Sequence, residues 1–297
     1  MLHRQRILLH LIALAGGRAT RLQIVKWAFL LSEEGATKGG DSFYEFLPYK
    51  FGPYSFCIYQ EAGAMVSQGL LMEKDDKTWA LTETGDEAAK GTPIEFREEA
   101  AQIHHQYGRL DSSRLLDTVY TRYPWFSANS EVRRLATRPK APPALYMAGY
   151  EGLSIDGFLN RLMLQGMERV IDVRSNPVSR RYGFHKSTLS RLCGDVGIAY
   201  VHFPELGIVS EERQQLLAID DRETLFANYE ARVLPRQQAS IKEVARLMQE
   251  RASVLVCMEA DPADCHRSRL ADALATLTAL SRHDLGACVC NSHAIAH

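Results

Sequence analysis

Two short stretches hold the residues best suited to chemistry. The first, Arg169 to Phe184, reads RVIDVRSNPVSRRYGF. Val170, Ile171 and Val173 form an apolar β-branched run of the kind a buried strand shows, and Asp172 and Arg174 interrupt it. A loop follows with Ser175, Asn176, Pro177, Ser179, Arg180, Arg181 and Tyr182. Charges inside an apolar strand pattern need a reason. In open α/β sheets, ligands bind outside the carboxyl ends of the strands. A carboxylate, three arginines, an amide and a phenol at such an edge suit a polyanionic substrate. A surface loop whose arginines pair with nearby acids is the plainer alternative.

The second stretch reads VLVCMEADPADCHRSRLADAL. A strand over 253–257 delivers Cys257 and Glu259 to its carboxyl edge. Asp264 is placed to cap the next helix, with Cys265, His266, Arg267 and Ser268 in the first turn. The free N–H groups and positive dipole end of a helix start attract anions. These residues therefore read as a phosphate or carboxylate cradle beside Glu259. The alternative is a well-capped helix with a half-buried cysteine and histidine.

The chain must supply elements that hold these stretches. Its 297 residues suggest about two domains. The apolar fraction, 46%, is enough for ordinary cores and too high for disorder. Formal net charge is −1, so nucleic-acid binding has to come from local basic patches. No apolar run is long enough to span a bilayer. The start, MLHRQRILLHLIALAGG, has the basic and apolar parts of a signal peptide, but its apolar positions also fit a helix face that runs into further helix pattern, and it reads as the first helix of a domain. The six cysteines (57, 193, 257, 265, 288 and 290) lack paired CxxC spacing. That points to a reduced, cytoplasmic protein without a zinc site and with no cofactor. Cys288 and Cys290 alternate on one expected strand, where a disulfide would be strained.

Along residues 1–90 the pattern gives a helix over 3–14, a helix after Thr20, a glycine-rich loop, a helix over 54–68, and a strand, turn and strand over LLMEKDDKTWALTETG. Helices followed by a two-stranded ribbon is the order of a winged helix, which can place a helix in the major groove. Helix 54–68 is poor in Lys and Arg, so Lys50, Tyr49, Phe51 and Tyr54 just before it are the better DNA contacts. Residues 91–141 read as a helical connector ending in the stiff Ala141-Pro142-Pro143. Tyr123-Pro124-Trp125-Phe126 could stack on bases or pack the connector onto a neighbour. From 142 to 297, strands (144–150, 169–173, 199–203, 253–258 and 286–291) alternate with helices. That is the pattern of an α/β domain with a mainly parallel sheet between helical layers.

At this point the motifs resemble known families. Residues 145–291 resemble the bacterial family known as domain of unknown function 488, through YMAGYEG, VIDVRSNPVSRR, YVHFPELG and CMEADPADCHRSRLA in that order. The FYEFLPYKFGPYS segment resembles the N-terminal module of some phage-defence and antitoxin-associated proteins. The family resemblance implies a Rossmann-like fold and a pocket formed by Asp172, Arg174, Glu205, Glu259 and the Cys265–Ser268 turn. Family members often show Gly-His-Ser where this chain has Gly149-Tyr150-Glu151, so Tyr150 and Glu151 must take over any role of that polar pair. Members are often associated with DNA repair.

The function expected from these readings is a DNA-acting enzyme. The most concrete form is an N-glycosylase that removes a modified base, such as glucosylated hydroxymethylcytosine, from phage DNA. Asp172, or else Glu259, would stabilise the oxocarbenium-like state and orient water. Arg174, Arg180, Arg181 and Arg267 would hold phosphates, and Asn176 and Tyr182 would meet an extruded base. Two other readings compete. One is a thiol enzyme like rhodaneses or Cys-based phosphatases, although no arginine stands six residues after Cys257 or at the matching offset from Cys265. The other is a DNA-binding regulator whose α/β domain senses a nucleotide. DNA is the expected partner, and no membrane is.

Overall fold

The structure, a computed structural model, describes residues 1–209 and 222–286. The chain divides into two compact units, Met1–Thr137 and Arg138–His297.

The first unit opens with α1 (His3–Leu14), β1 (Arg18–Thr20) and α2 (Arg21–Glu34). Thr20 caps α2, accepting from Gln23 N while the Gln23 side chain reaches back to Thr20 N. A hairpin follows, β2 (Leu47–Tyr49) and β3 (Gly52–Tyr54), then α3 (Phe56–Ser67), β4 (Leu71–Asp75) and β5 (Thr78–Leu81). β1, β5 and β4 form a three-stranded antiparallel sheet. The unit ends with α4 (Glu83–Lys90), α5 (Ile94–Tyr107) and α6 (Ser112–Arg122). α1 buries Ile7, Leu8, Leu9, Leu11 and Ile12, so the apolar start of the chain is core.

One expectation for this unit changes, and one open alternative is decided. The segment expected as a connector supplies Ala100, Ile103, Tyr107, Leu115 and Val119 to the same core as α1 and α2. It belongs to the unit because its helices carry apolar faces that have to be covered. Tyr123 and Phe126 both pack edge-on against Phe29, at ring separations of 5.0 and 4.5 Å. The Tyr123 hydroxyl donates to Glu34. Packing therefore accounts for this aromatic cluster.

The second unit runs β6 (Leu145–Gly149), α7 (Ile155–Leu164), β7 (Arg169–Asp172), α8 (Lys186–Asp195), β8 (Ala199–His202), α9 (Arg222–Asn228), α10 (Gln238–Glu250), β9 (Ser253–Cys257), α11 (His266–Thr278) and β10 (Arg282–Asp284). A π turn and a 3-10 turn join α9 to α10. The strand expected over 286–291 falls almost wholly outside the described residues. The five strands are parallel, in the order β10-β6-β9-β7-β8.

In the dinucleotide-binding order of doubly wound sheets, the first two strands of the domain are neighbours. Here β9 separates β6 from β7. Links β6–β7 and β7–β8 run toward one edge, and β8–β9 and β9–β10 toward the other. With right-handed crossovers, α7 and α8 cover one face while α10 and α11 cover the opposite one. Leu145, Met147, Ile171, Val173 and Leu255 share a core with α10 and α11. Phe158 of α7 packs toward Tyr150 and Phe184. Connections therefore leave in opposite directions on both sides of β9, which is where open sheets form ligand crevices.

Candidate functional site

A cleft of about 450 Å3 lies at the carboxyl ends of β6, β7 and β9. Tyr150 and Glu151 follow β6, Arg174, Ser175 and Asn176 follow β7, and Cys257, Met258 and Glu259 end β9. Cys265 and His266 enter from the start of α11, and Ile208, Leu225 and Phe226 form an apolar wall. The loops are tied together by backbone: Tyr150 N and Glu151 N both donate to Met258 O, at 3.1 and 2.9 Å, and Ala260 N donates to the Glu151 carboxylate at 3.0 Å. Gly149 makes this close approach possible. A Cβ there would lie 1.8 Å from Glu259 O.

Asp172 ends β7 and is fully buried. Its Oδ1 accepts from Arg174 N at 3.1 Å and Arg174 Nε at 2.8 Å. Its Oδ2 accepts from Arg174 Nη2 at 2.6 Å and the Tyr200 hydroxyl at 2.7 Å. Both oxygens are thus occupied, and Asp172 is not part of the cleft lining. In this arrangement Asp172, the carboxylate expected to be catalytic, anchors Arg174. Burial would lower the Arg174 pKa, but the Asp172 hydrogen bonds and charge outweigh it and raise it. Burial, followed by the negative charge of Asp172, pushes the Tyr200 phenol up.

Arg174 does reach the cleft wall, but its nitrogens are committed. Besides Asp172 it donates through Nη1 to the Tyr150 hydroxyl at 2.8 Å and Phe184 O at 2.9 Å. Tyr150 stacks on Phe184, with ring centroids 4.1 Å apart. Arg174 is therefore a strut that holds Tyr150 and the 175–184 loop, and the expected phosphate contact at this residue gives way to that role.

Glu259, 9% exposed, faces the cleft. Its Oε2 accepts from the Cys257 thiol at 3.1 Å. Cys257 Sγ lies 3.8 Å from His266 Nδ1, and Cys265 Sγ lies 3.9 Å from the same nitrogen. His266 Nε2 sits 3.1 Å from Val173 O, so Nε2 carries the proton and Nδ1 turns its lone pair to the sulfurs. The ligand atoms of Cys257, Cys265 and His266 all lie within 4.8 Å of one another. Chain spacing had argued against such a grouping. The fold creates it, because β9 and the start of α11 meet end to end. Burial pushes the Cys265 thiol well above its ordinary range.

The start of α11 differs from the expected anion cradle. Cys265, not Asp264, is the N-cap. Arg267 is fully buried and donates to the carbonyls of Glu259 at 2.5 Å and Ala260 at 3.0 Å. Ser268 donates to Pro262 O. Both side chains brace the β9–α11 loop from behind.

Residues 154–274 match the family model described as Domain of unknown function DUF488. The matched segment is shorter than the 145–291 that the resemblance suggested: it leaves out β6 with Tyr150 and Glu151 at one end and residues 275–291 at the other. No curated protein and no solved structure shows similarity to the chain.

Of the residues expected at the site, the cleft gathers Tyr150, Glu151, Arg174, Asn176, Glu259, Cys265 and His266. It does not gather Asp172, Ser179, Arg180, Arg181, Tyr182, Glu205, Arg267 or Ser268. Glu205 accepts from Ser240. Ser179 accepts from Arg181 N, and Arg181 donates to Leu153 O at 2.8 Å beside the cleft-lining Tyr150. Arg180 is exposed. Cys257 was placed at the strand end but not in the site, and its thiol turns out to face Glu259. Leu225 and Phe226 gave no local signal, since they reach the cleft from a helix some thirty residues before β9. Asp261 and Asp264 add two more acids to the lining.

Proposed function

We propose that this protein acts on DNA as an N-glycosylase, hydrolysing the bond between the sugar and a modified base of phage DNA, such as glucosylated hydroxymethylcytosine, and leaving an abasic site. One observation carries the reading: a largely buried carboxylate, Glu259, at a cleft of about 450 Å3 with an apolar wall. That volume lies within the range of pockets for small organic groups and gives room for a base with a sugar attached.

Such enzymes turn the target nucleotide out of the stack into a pocket. Phe226, Leu225 and Met258 offer the face against which a base would lie. Glu259 is placed to stabilise the cationic sugar of the transition state and to orient the attacking water, the two tasks that carboxylates perform in glycoside hydrolysis. Glu151, Asp261 and Asp264 supply acceptors for sugar hydroxyls. The same acids repel phosphate, and Arg174 is already spent on Asp172. DNA phosphates therefore fall to Arg180 and Arg181 outside the cleft. Asp172 is a positioning residue: it fixes Arg174, which fixes Tyr150.

The first unit supports a DNA-acting role through its order of helix, strand, helix, helix and two-stranded ribbon, which is the winged-helix order with a β2–β3 hairpin inserted before α3. The outward residues of α3 are Gln60, Gly63 and Ser67, none of them charged. Lys50 pairs with Glu131 at 3.3 Å, and Tyr49 and Tyr54 pack on Phe56, which leaves Phe51, half exposed, as the outward aromatic of the hairpin. This unit therefore contributes shape and polar contact more than charge.

The test is to incubate the purified protein with plasmid DNA and with phage DNA carrying glucosylated cytosines. Alkali-labile breaks and free modified base, only in the second, are the expected result. Binding without breaks or free base would overturn the enzymatic reading and favour a regulator.

A further inference from the structure

We infer that Cys257, Cys265 and His266 form a binding site for a thiophilic divalent metal, zinc by preference, at the floor of the cleft. The inference rests on the geometry of these three side chains and holds or fails independently of the glycosylase reading. Zinc bound tetrahedrally by thiolate and imidazole separates a sulfur from a nitrogen by about 3.6 Å, given bonds of about 2.3 and 2.05 Å. The two observed separations, 3.8 and 3.9 Å, come within a few tenths of an ångström of that. All three ligand atoms are buried and mutually within 4.8 Å. Small side-chain rotations close the set around one ion.

The surroundings fit the same reading. A metal-binding histidine almost always donates its second ring N–H to a carbonyl or carboxylate, which fixes the tautomer and the ring. His266 does this to Val173 O. The donor set of two thiolates and an imidazole suits zinc over magnesium or calcium, which take oxygen ligands. Three protein ligands leave a fourth position to fill, and Glu259 stands beside the set, with Oε2 3.1 Å from Cys257 Sγ. Zinc sites of three protein ligands with a fourth position for water or substrate are the catalytic kind. Binding releases the two thiol protons to solvent as the zinc–sulfur bonds form. No electron is transferred.

The test measures metal, not activity. The full chain is purified with a phosphine reductant, incubated with Zn2+ alone, desalted and analysed by mass spectrometry. One zinc per chain is expected. Loading with Co2+ alone should give the intense visible and near-ultraviolet bands of tetrahedral cobalt bound to thiolate. Cys257→Ser and Cys265→Ser should each weaken zinc binding by roughly tenfold or more, since removing only an outer-shell partner already costs that much. A Cys288→Ser/Cys290→Ser variant should keep its zinc. Wild-type protein that takes up no zinc, or whose cobalt form lacks the thiolate bands, overturns the inference even if the variants misfold. So does zinc that survives in the Cys257→Ser/Cys265→Ser double variant, or that leaves when Cys288 and Cys290 are replaced.

Discussion

The ends of β7 and β9 are neighbours in the sheet, and each brings a carboxylate out of water. Asp172, 0% exposed, is enclosed by three Arg174 donors and the Tyr200 hydroxyl. Glu259, 9% exposed, meets a thiol and opens on the cleft. Each close behind the apolar run of its strand, Asp172 directly after Ile171 and Glu259 two residues after Cys257, the two acids look alike in the chain, but they are put to different uses. Asp172 lies on the sheet face that α7 and α8 cover, so a cation had to accompany it into the core. Glu259 lies past the strand end, in a loop whose backbone is clamped by Arg267 and by the close approach of Gly149. A buried charge is therefore a sign of function only when its partners leave it a free approach. Where they saturate it, the charge is architecture.

The sharpest way to break this comparison is to remove each acid. Glu259→Gln should leave the melting transition close to wild type and reduce base release by about 10²- to 10⁴-fold, the usual scale of a positioned acid or base. Retention of full activity would move the chemistry away from β9. Asp172→Asn should do the reverse. It leaves Arg174 buried without its anion, a change that typically costs about 3–5 kcal/mol. The measurement is urea unfolding of the second unit followed by circular dichroism. Any activity that remains, per folded molecule, should be within about tenfold of wild type, as expected of a group that positions Arg174 and Tyr150 without touching substrate. If Asp172→Asn folded normally and lost all base release, the roles assigned to the two acids would have to be exchanged.

Tyr200→Phe sharpens the same contrast with a smaller change. The Tyr200 hydroxyl donates to Asp172 Oδ2 at 2.7 Å. Hydrogen bonds to charged groups contribute about 1.5–3 kcal/mol. The variant should lose stability in that range, with zinc content and base release unchanged. An effect on base release without one on stability would place Tyr200 in the reaction.

The sequence carried the sheet and its neighbourhood well, because parallel buried strands leave dense apolar runs. Val170–Ile171 and Val254–Val256 needed nothing beyond their own neighbours to be recognised. The same pattern placed Glu259 and Cys257 at a carboxyl edge. It could not say that Asp172 pairs with Arg174, since that depends on which way the two side chains flanking Val173 turn and on Tyr200 arriving from the next strand. Nor could spacing reveal the grouping of Cys257 with Cys265 and His266. Seven residues separate the cysteines, and they come together only because a short 3-10 turn, Pro262–Asp264, folds the loop back to the strand end. The aromatic Tyr123–Phe126 cluster was ambiguous for a related reason: its partner, Phe29, lies nearly a hundred residues earlier.

The first unit supplies a third buried charge and the smallest of the expected effects. Lys26, on α2, is 2% exposed and donates to Pro53 O at 2.7 Å, and among the described residues no carboxylate pairs with it as Asp172 does with Arg174. Burial pulls its pKa down from 10.5 to about 7. Between those values the folded chain holds Lys26 neutral while the unfolded chain holds it protonated. The unfolded state then binds more protons, so stability rises with pH across that window, by up to about 1.4 kcal/mol per pH unit, and is lost again as pH falls toward 7. All three tryptophans, Trp27, Trp79 and Trp125, belong to the first unit, so urea unfolding followed by tryptophan fluorescence reports on this unit alone. From pH 7.5 to 8.5 the midpoint should rise by the equivalent of about 1 kcal/mol in wild type, and the rise should vanish in Lys26→Met. An equal rise in both would mean that Lys26 keeps its proton in the fold, and that an unpaired ammonium is tolerated where an unpaired guanidinium, in the second unit, is not.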